Sequence, residues 1–165
     1  MGMQKTFASF IAAVILGATH APAHAEASNQ FTDADRQAVK DVFLQQAAAA
    51  TAHDIVAFEH VLASAPPNQP DPIAFVARAY QFWGKPALIE HFKETFKGVW
   101  KFEPNAETIK IVPITADVAE LYAATQITLG ASEASARTAL FLVYEVAVRT
   151  SDGWRIASIV PVPAK

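Results

Sequence analysis

The sequence predicts an α+β domain, in which a cone-shaped, curved antiparallel sheet packs against about three N-terminal helices. Three observations carry this expectation. Apolar residues repeat at helical spacing through the first half, a proline-dense break follows, and long stretches rich in β-branched and aromatic residues fill the second half.

Thr32 and Asp35 form a variant of the N-capping box, with aspartate in place of the usual glutamate. Behind it, Val39, Val42, Phe43, Ala47 and Ala50 make an apolar stripe, so a helix is expected from Asp33 to Ala50. Thr51-Ala52-His53-Asp54 breaks it with a capping aspartate, and Ile55, Phe58, Val61 and Leu62 mark a second helix of two to three turns. Ser64 to Pro72 then holds four prolines in nine residues, through which neither a helix nor a central strand can pass.

Ile73 to Phe82 reads as one strand ended by Gly84. Pro86 falls in the first turn of a third helix, where its missing N–H costs nothing, and Leu88, Ile89, Phe92 and Phe96 form the buried stripe. Strands are expected at Val99–Phe102, Glu107–Thr115, Val118–Leu129, Arg137–Thr150 and Trp154–Val162. Ser151-Asp152-Gly153 is a hairpin turn, which makes the last two strands antiparallel neighbours.

Residues 1–25 read as a signal peptide: Lys5 supplies a positive start, Phe7 to Ala18 an apolar run too short to span a membrane, and Ala23-His24-Ala25 the small residues of a cleavage site. Met1 to Thr6 also fits the myristoylation pattern, but the signal peptide accounts for the whole stretch. The expectation is a secreted, periplasmic protein with cleavage near Ala25, and a single domain over residues 26–165. The chain has no cysteine, so this domain does not rely on disulfides. A formal charge of −3 and the lack of any basic run exclude nucleic acid and anionic membrane surfaces as expected partners. No later segment is long and apolar enough to insert into a membrane.

Four sequence features together carry a resemblance: the order of elements, Trp83-Gly84 followed by Leu88, Asp117-Val118-Ala119 opening a strand, and Asp152-Gly153-Trp154-Arg155-Ile156 near the end. In these the chain resembles the nuclear transport factor 2-like superfamily. The closest group is the SnoaL-like relatives of polyketide cyclases and ketosteroid isomerases, with the likeness running from about Phe31 to Pro161. The resemblance implies a cone-shaped cavity between sheet and helices and a homodimer through the sheet's outer face. In catalytic members it also implies a carboxylate or histidine that moves a proton on a lipophilic substrate. Relatives commonly carry an acidic pair after the second helix, where this chain has only Asp71. Many also place a polar residue, often histidine, about six positions beyond the hairpin tryptophan, where this chain has Val160.

Seven aromatic residues lie between Tyr80 and Phe102, the density expected of a pocket wall. Phe92 and Phe96 belong to the core by spacing. Tyr80, Trp83, His91 and Trp100 are left as cavity lining, with Tyr122 and Gln126 on a semi-polar strand face as further candidates. His91 flanks the apolar stripe of its helix and is the best-placed histidine for proton transfer, although a helix-flank histidine is commonly only solvated. Glu145 shares a strand face with Ala139, Phe141, Val143 and Ala147. It is expected on the outer side of the sheet, and becomes a candidate acid or base if that face lines the cavity. Asp71 completes the weak catalytic candidates. His53 reads as part of a helix start, and no ligand spacing for a metal, phosphate loop or nucleophile elbow occurs, so no metal or cofactor is expected. Three functions remain open: binding of a small apolar or aromatic molecule, isomerase, dehydratase or cyclase chemistry by proton transfer, and a dimerisation or interaction module without a ligand.

Overall fold

A computed structural model describes residues 30–78 and 80–164. The expected signal peptide lies outside the described residues. Helix α1 runs Asp33–Thr51 and α2 runs Ile55–His60. A hairpin of β1 (Ala74–Ala77) and β2 (Tyr80–Trp83) leads into α3 (Lys85–Thr95). Strands β3 (Val99–Pro104), β4 (Lys110–Pro113), β5 (Val118–Gly130), β6 (Arg137–Thr150) and β7 (Gly153–Pro163) follow. The sheet order is β2-β1-β7-β6-β5-β3, and β4 pairs with β5 beyond the end of β3.

The expected α+β cone is the observed fold, with corrections in detail. Ile73 to Phe82 is a hairpin rather than one strand, because the chain reverses at Arg78 and pairs Ala77 with Tyr80. The sheet is mixed rather than wholly antiparallel, since β1 runs parallel to β7. The second helix stops at His60, before the expected two to three turns are complete. Beyond it the backbone of Val61 and Ala63 is taken up by Ile156 of β7, a pairing that forbids helical geometry. Strand β4 is shorter than expected because Ala106–Thr108 forms a single 3-10 turn, whose Glu107 N–H donates to the Asn105 side chain.

Helix α1 lies in the hollow of the sheet. Its buried side chains, Val39, Val42, Phe43, Gln46, Ala47 and Ala50, face Leu121, Ala123, Val143 and Ala147 on the strands. The alanines of β5 and β6 line the core beneath the helix, whose backbone comes nearest to β3 and β7. A register shift between Val146 and Ala147 adds the curl that wraps the sheet around it.

Both ends of α1 are fastened. At its start the predicted capping box is present: the Asp35 backbone N–H donates to the Thr32 hydroxyl, and the Thr32 N–H donates to Asp35 Oδ2 at 2.9 Å. The other oxygen of Asp35 accepts from Trp154 Nε1 at 3.3 Å and pairs with Arg149 at 2.7 Å. At the other end the Thr51 hydroxyl exchanges hydrogen bonds with the backbone of Phe102 on β3. The Phe58 ring of α2 packs at a tilt against Phe92 of α3, centroids 4.5 Å apart, which joins the two short helices.

Asp35→Ala should lower unfolding free energy by about 2 kcal/mol, the scale of a lost cap plus a stranded buried donor. The Thr32 bonds, with help from Arg149 and Trp154, hold the Asp35 carboxyl well below the usual carboxylate range. Its contribution is therefore full above about pH 4 and fades as pH falls further. In denaturant melts the gap between wild type and variant should be smaller at pH 2 than at pH 7.

Candidate functional site

The site is built around α3. Gly84 adopts φ 87° before the helix, a backbone setting that favours glycine, and offers no side chain to cap it. Asp71 supplies the cap from the preceding loop: one oxygen accepts from the Lys85 N–H and the other from the Ile73 N–H, each at 2.9 Å. Asp71 is thus a structural clamp outside the cone. This corrects its place among the catalytic candidates.

With α3 fixed in this way, His91 turns toward the β1–β2 hairpin. Its ring stacks on Phe82 at 4.4 Å, lies 5.8 Å from both Phe75 and Tyr80, and meets Phe92 edge-on. Burial in this aromatic setting pushes the imidazole pKa down, so His91 is neutral at pH 7. Beside it opens a cleft of about 850 Å³, walled by Phe75, Tyr80, Trp100, Ile127, Leu129, Phe141 and Pro161.

Trp100 is the floor of this cleft and the roof of a smaller space. Behind it lies a chamber of about 20 Å³ among Gln46, Phe58, Phe92, Phe102 and Ile159, room for about one water molecule. The His53 ring, stacked on Phe96, hydrogen-bonds the Trp100 carbonyl at 3.0 Å and fixes this residue, so His53 is structural as expected.

Beyond the chamber, Gln46 Nε2 donates to Glu145 Oε1 at 3.0 Å. Glu145 is 0% exposed, on the concave face of β6, which overturns its expected place on the outer side. Burial raises its pKa to about 8, only partly opposed by the Gln46 bond, so at neutral pH the group is mostly a neutral acid. Its Oε2, Gln46 Oε1 and Trp100 Nε1 are buried without a hydrogen-bond partner among the described residues.

Of the residues expected to line the cavity, the structure brings Tyr80, His91 and Trp100 together. Trp83 is 66% exposed and does not wall the cleft. Tyr122 and Gln126 belong to the opposite face of β5 from the buried Leu121, Ala123, Thr125 and Ile127, a second correction. Phe75, Ile127, Phe141 and Gln46 were not anticipated. Gln46 had a signal, since it lies three residues after Phe43 and seven after Val39, on the buried stripe. Among the described residues no group of side chains is arranged to hold a metal.

The family model for the SnoaL-like domain matches residues 39–161. The chain belongs to the SnoaL-like domain family. Similar solved structures carry the same fold. A protein of Novosphingobium aromaticivorans, named as a candidate aromatic ring hydroxylase, has TM-score 0.70 and 17% identity over 82% of this chain and 93% of its own. A candidate dehydratase of the nuclear transport factor 2-like family from Streptomyces avermitilis has TM-score 0.68 and 16% identity over 80% and 97%. A candidate calcium/calmodulin-dependent protein kinase type II association domain from Thiobacillus denitrificans has TM-score 0.56 and 22% identity over 75% and 93%. No curated protein matches this SnoaL-like chain by sequence.

Glu145 gives the SnoaL-like domain a measurable signature. Its native pKa is raised above the ordinary value of 4.5, so between about pH 5 and 8 the folded state keeps a proton that the unfolded chain has lost. Stability should therefore fall as pH rises through that window, by up to about 1.4 kcal/mol per pH unit from this group. Glu145→Gln should remove this component of the slope in denaturant melts taken from pH 5 to 8. An unchanged slope would place the titrating proton elsewhere.

Proposed function

We propose that this protein binds a small, largely apolar molecule in the cleft beside His91. The observation that carries the reading is an open volume of about 850 Å³ walled by Phe75, Tyr80, Trp100 and Phe141. That size suits a drug-sized ligand, and aromatic walls with a few polar tips are the usual chemistry of such sites. The order of charge, apolar run and small residues in the first 25 positions supports export, so we place this binding in the periplasm.

A second reading is proton-transfer chemistry, favoured by the neutral carboxyl of Glu145 and in keeping with the dehydratase and hydroxylase names of two fold relatives. Binding ranks first because only a chamber of one-water size lies between the cleft and Gln46, the partner of Glu145. A third reading is association through the convex sheet face, where Leu140 and Val162 are 41% and 48% exposed beside half-buried Leu142 and Tyr144. If that face forms a homodimer, sedimentation velocity should show Leu142→Lys at half the mass of the wild type; equal masses for the two would remove it.

The binding reading is tested with N-phenyl-1-naphthylamine, a neutral dye that fluoresces when buried. The wild type should bind it with micromolar affinity. Trp100→Ala, and independently Leu129→Asp on the exposed rim, should weaken binding by about tenfold, the scale of one lost apolar contact surface. Tyr122→Ala on the far face should leave it unchanged. No enhancement with the wild type would sink the reading.

A further inference from the structure

The charges around the cleft are unevenly matched. Besides the Tyr80 phenol, four ionisable side chains border it: Arg78, His91, Glu94 and Lys97. Lys97 is held by both oxygens of Glu94, at 2.6 and 2.7 Å, so these two charges cancel locally. Burial among aromatic rings keeps His91 neutral. Arg78 stands at the rim, exposed, with no hydrogen-bond or ion-pair partner among the described residues. A protein of net charge −3 thus presents one uncompensated cation at the entrance to its apolar cleft.

The backbone at Arg78 is also unusual. It reverses the β1–β2 hairpin between Ala77 and Tyr80 at φ 44°, in the left-handed region. Tight hairpin turns of this kind are ordinarily made by asparagine, aspartate or glycine, which adopt positive φ at little cost. Arginine is a poor choice for the turn as a turn. Residues held in such conformations gather at ligand sites, where the placement of the side chain matters more than local comfort. Here the strained position sets a long cationic side chain beside Tyr80, at the edge of the aromatic wall.

We infer that the cleft takes an apolar molecule carrying a single acidic group, a carboxylate or sulfonate, with its body against Trp100 and Phe141 and its anion at Arg78. The inference rests on the reading of the cleft as a binding site and goes beyond it by naming the ligand class. The guanidinium offers several N–H donors in a fixed fork that matches a planar or trigonal oxyanion. The interior of the cleft presents no other uncompensated charge to such a ligand, so its acidic end has one place to go.

A matched pair of dyes tests this. 1-Anilinonaphthalene-8-sulfonate is N-phenyl-1-naphthylamine with a sulfonate added, so the two probes differ by the anion alone. Arg78→Asn removes the cation while placing in the turn a residue that tolerates positive φ, and the variant should melt no lower than the wild type. It should bind the sulfonate dye about tenfold more weakly, the scale of one charge-assisted hydrogen bond, and the neutral dye within about twofold of the wild type. Arg78→Lys, which keeps the charge but not the fork, should bind the sulfonate dye with an affinity between those of the wild type and Arg78→Asn, and the wild-type affinity should decline as salt rises from about 0.05 to 0.5 M. If Arg78→Asn changes neither dye, or weakens both equally, the anion assignment is overturned while the apolar cleft stands. If the wild type binds neither dye, both readings fail together.

Discussion

One helix, tied to the sheet at both ends, sets the shape of everything else. Asp35 serves two structures with one carboxylate: Oδ2 closes the capping box of α1, and Oδ1 reaches across to Trp154 and Arg149 on the last hairpin. Thr51 performs the matching task at the far end, on β3. Between these ties the helix has little freedom to tilt. The sheet curls around it, with the small buried side chains of Ala119, Ala123 and Ala147 in the core beneath and β3 and β7 nearest to the helix. Because α1 fills one side of the hollow, the remaining space opens on the other side, where α3 and the β1–β2 hairpin frame it.

That division explains why the interior changes character along its length. Under α1 the packing is dense and apolar, with Gln46 and Glu145 as a buried polar pair. Near α3 the walls are aromatic and the volume is open. An isolated carboxylate in the first environment would be prohibitively costly, so the group keeps its proton and lives as a hydrogen-bonding acid. A neutral carboxyl and a primary amide have complementary donors and acceptors, yet only one of their two possible hydrogen bonds is made here. The pair is therefore polar enough to matter and incompletely satisfied.

Local signals in the sequence were reliable where the determinant was itself local. The Thr32–Asp35 box, the Asp54 cap, the Pro86 helix start and the Gly153 turn each correspond to an observed boundary or hydrogen bond. Three features were not legible, each for a physical reason. The hairpin at Arg78 carries no glycine or asparagine, so nothing marked the turn. The parallel pairing of β1 with β7 joins segments some eighty residues apart, and no local pattern specifies such a partner. The facing of Glu145 was ambiguous because β6 is apolar on both sides. What separates its faces is bulk: Leu140, Leu142 and Tyr144 point outward, while Val143, Glu145 and Ala147 sit inward beneath the helix. In the aromatic stretch from Tyr80 to Phe102 the neighbourhood of the site was readable. The rest of its lining, drawn from Phe75, Ile127 and Phe141, depends on tertiary assembly.

The double tethering of α1 has a consequence for how such a domain could change its preferences. The bonds that hold the cone together involve Thr32, Asp35, Thr51, Phe102, Arg149 and Trp154, and of these none walls the cleft. The cleft is shaped instead by a short hairpin, one face of α3, the start of β3 and the far ends of β5, β6 and β7. Substitutions distant from one another and without shared partners combine almost independently. The entrance is in effect a replaceable fitting on a permanent frame, free to be resized or recharged while the frame keeps its stability.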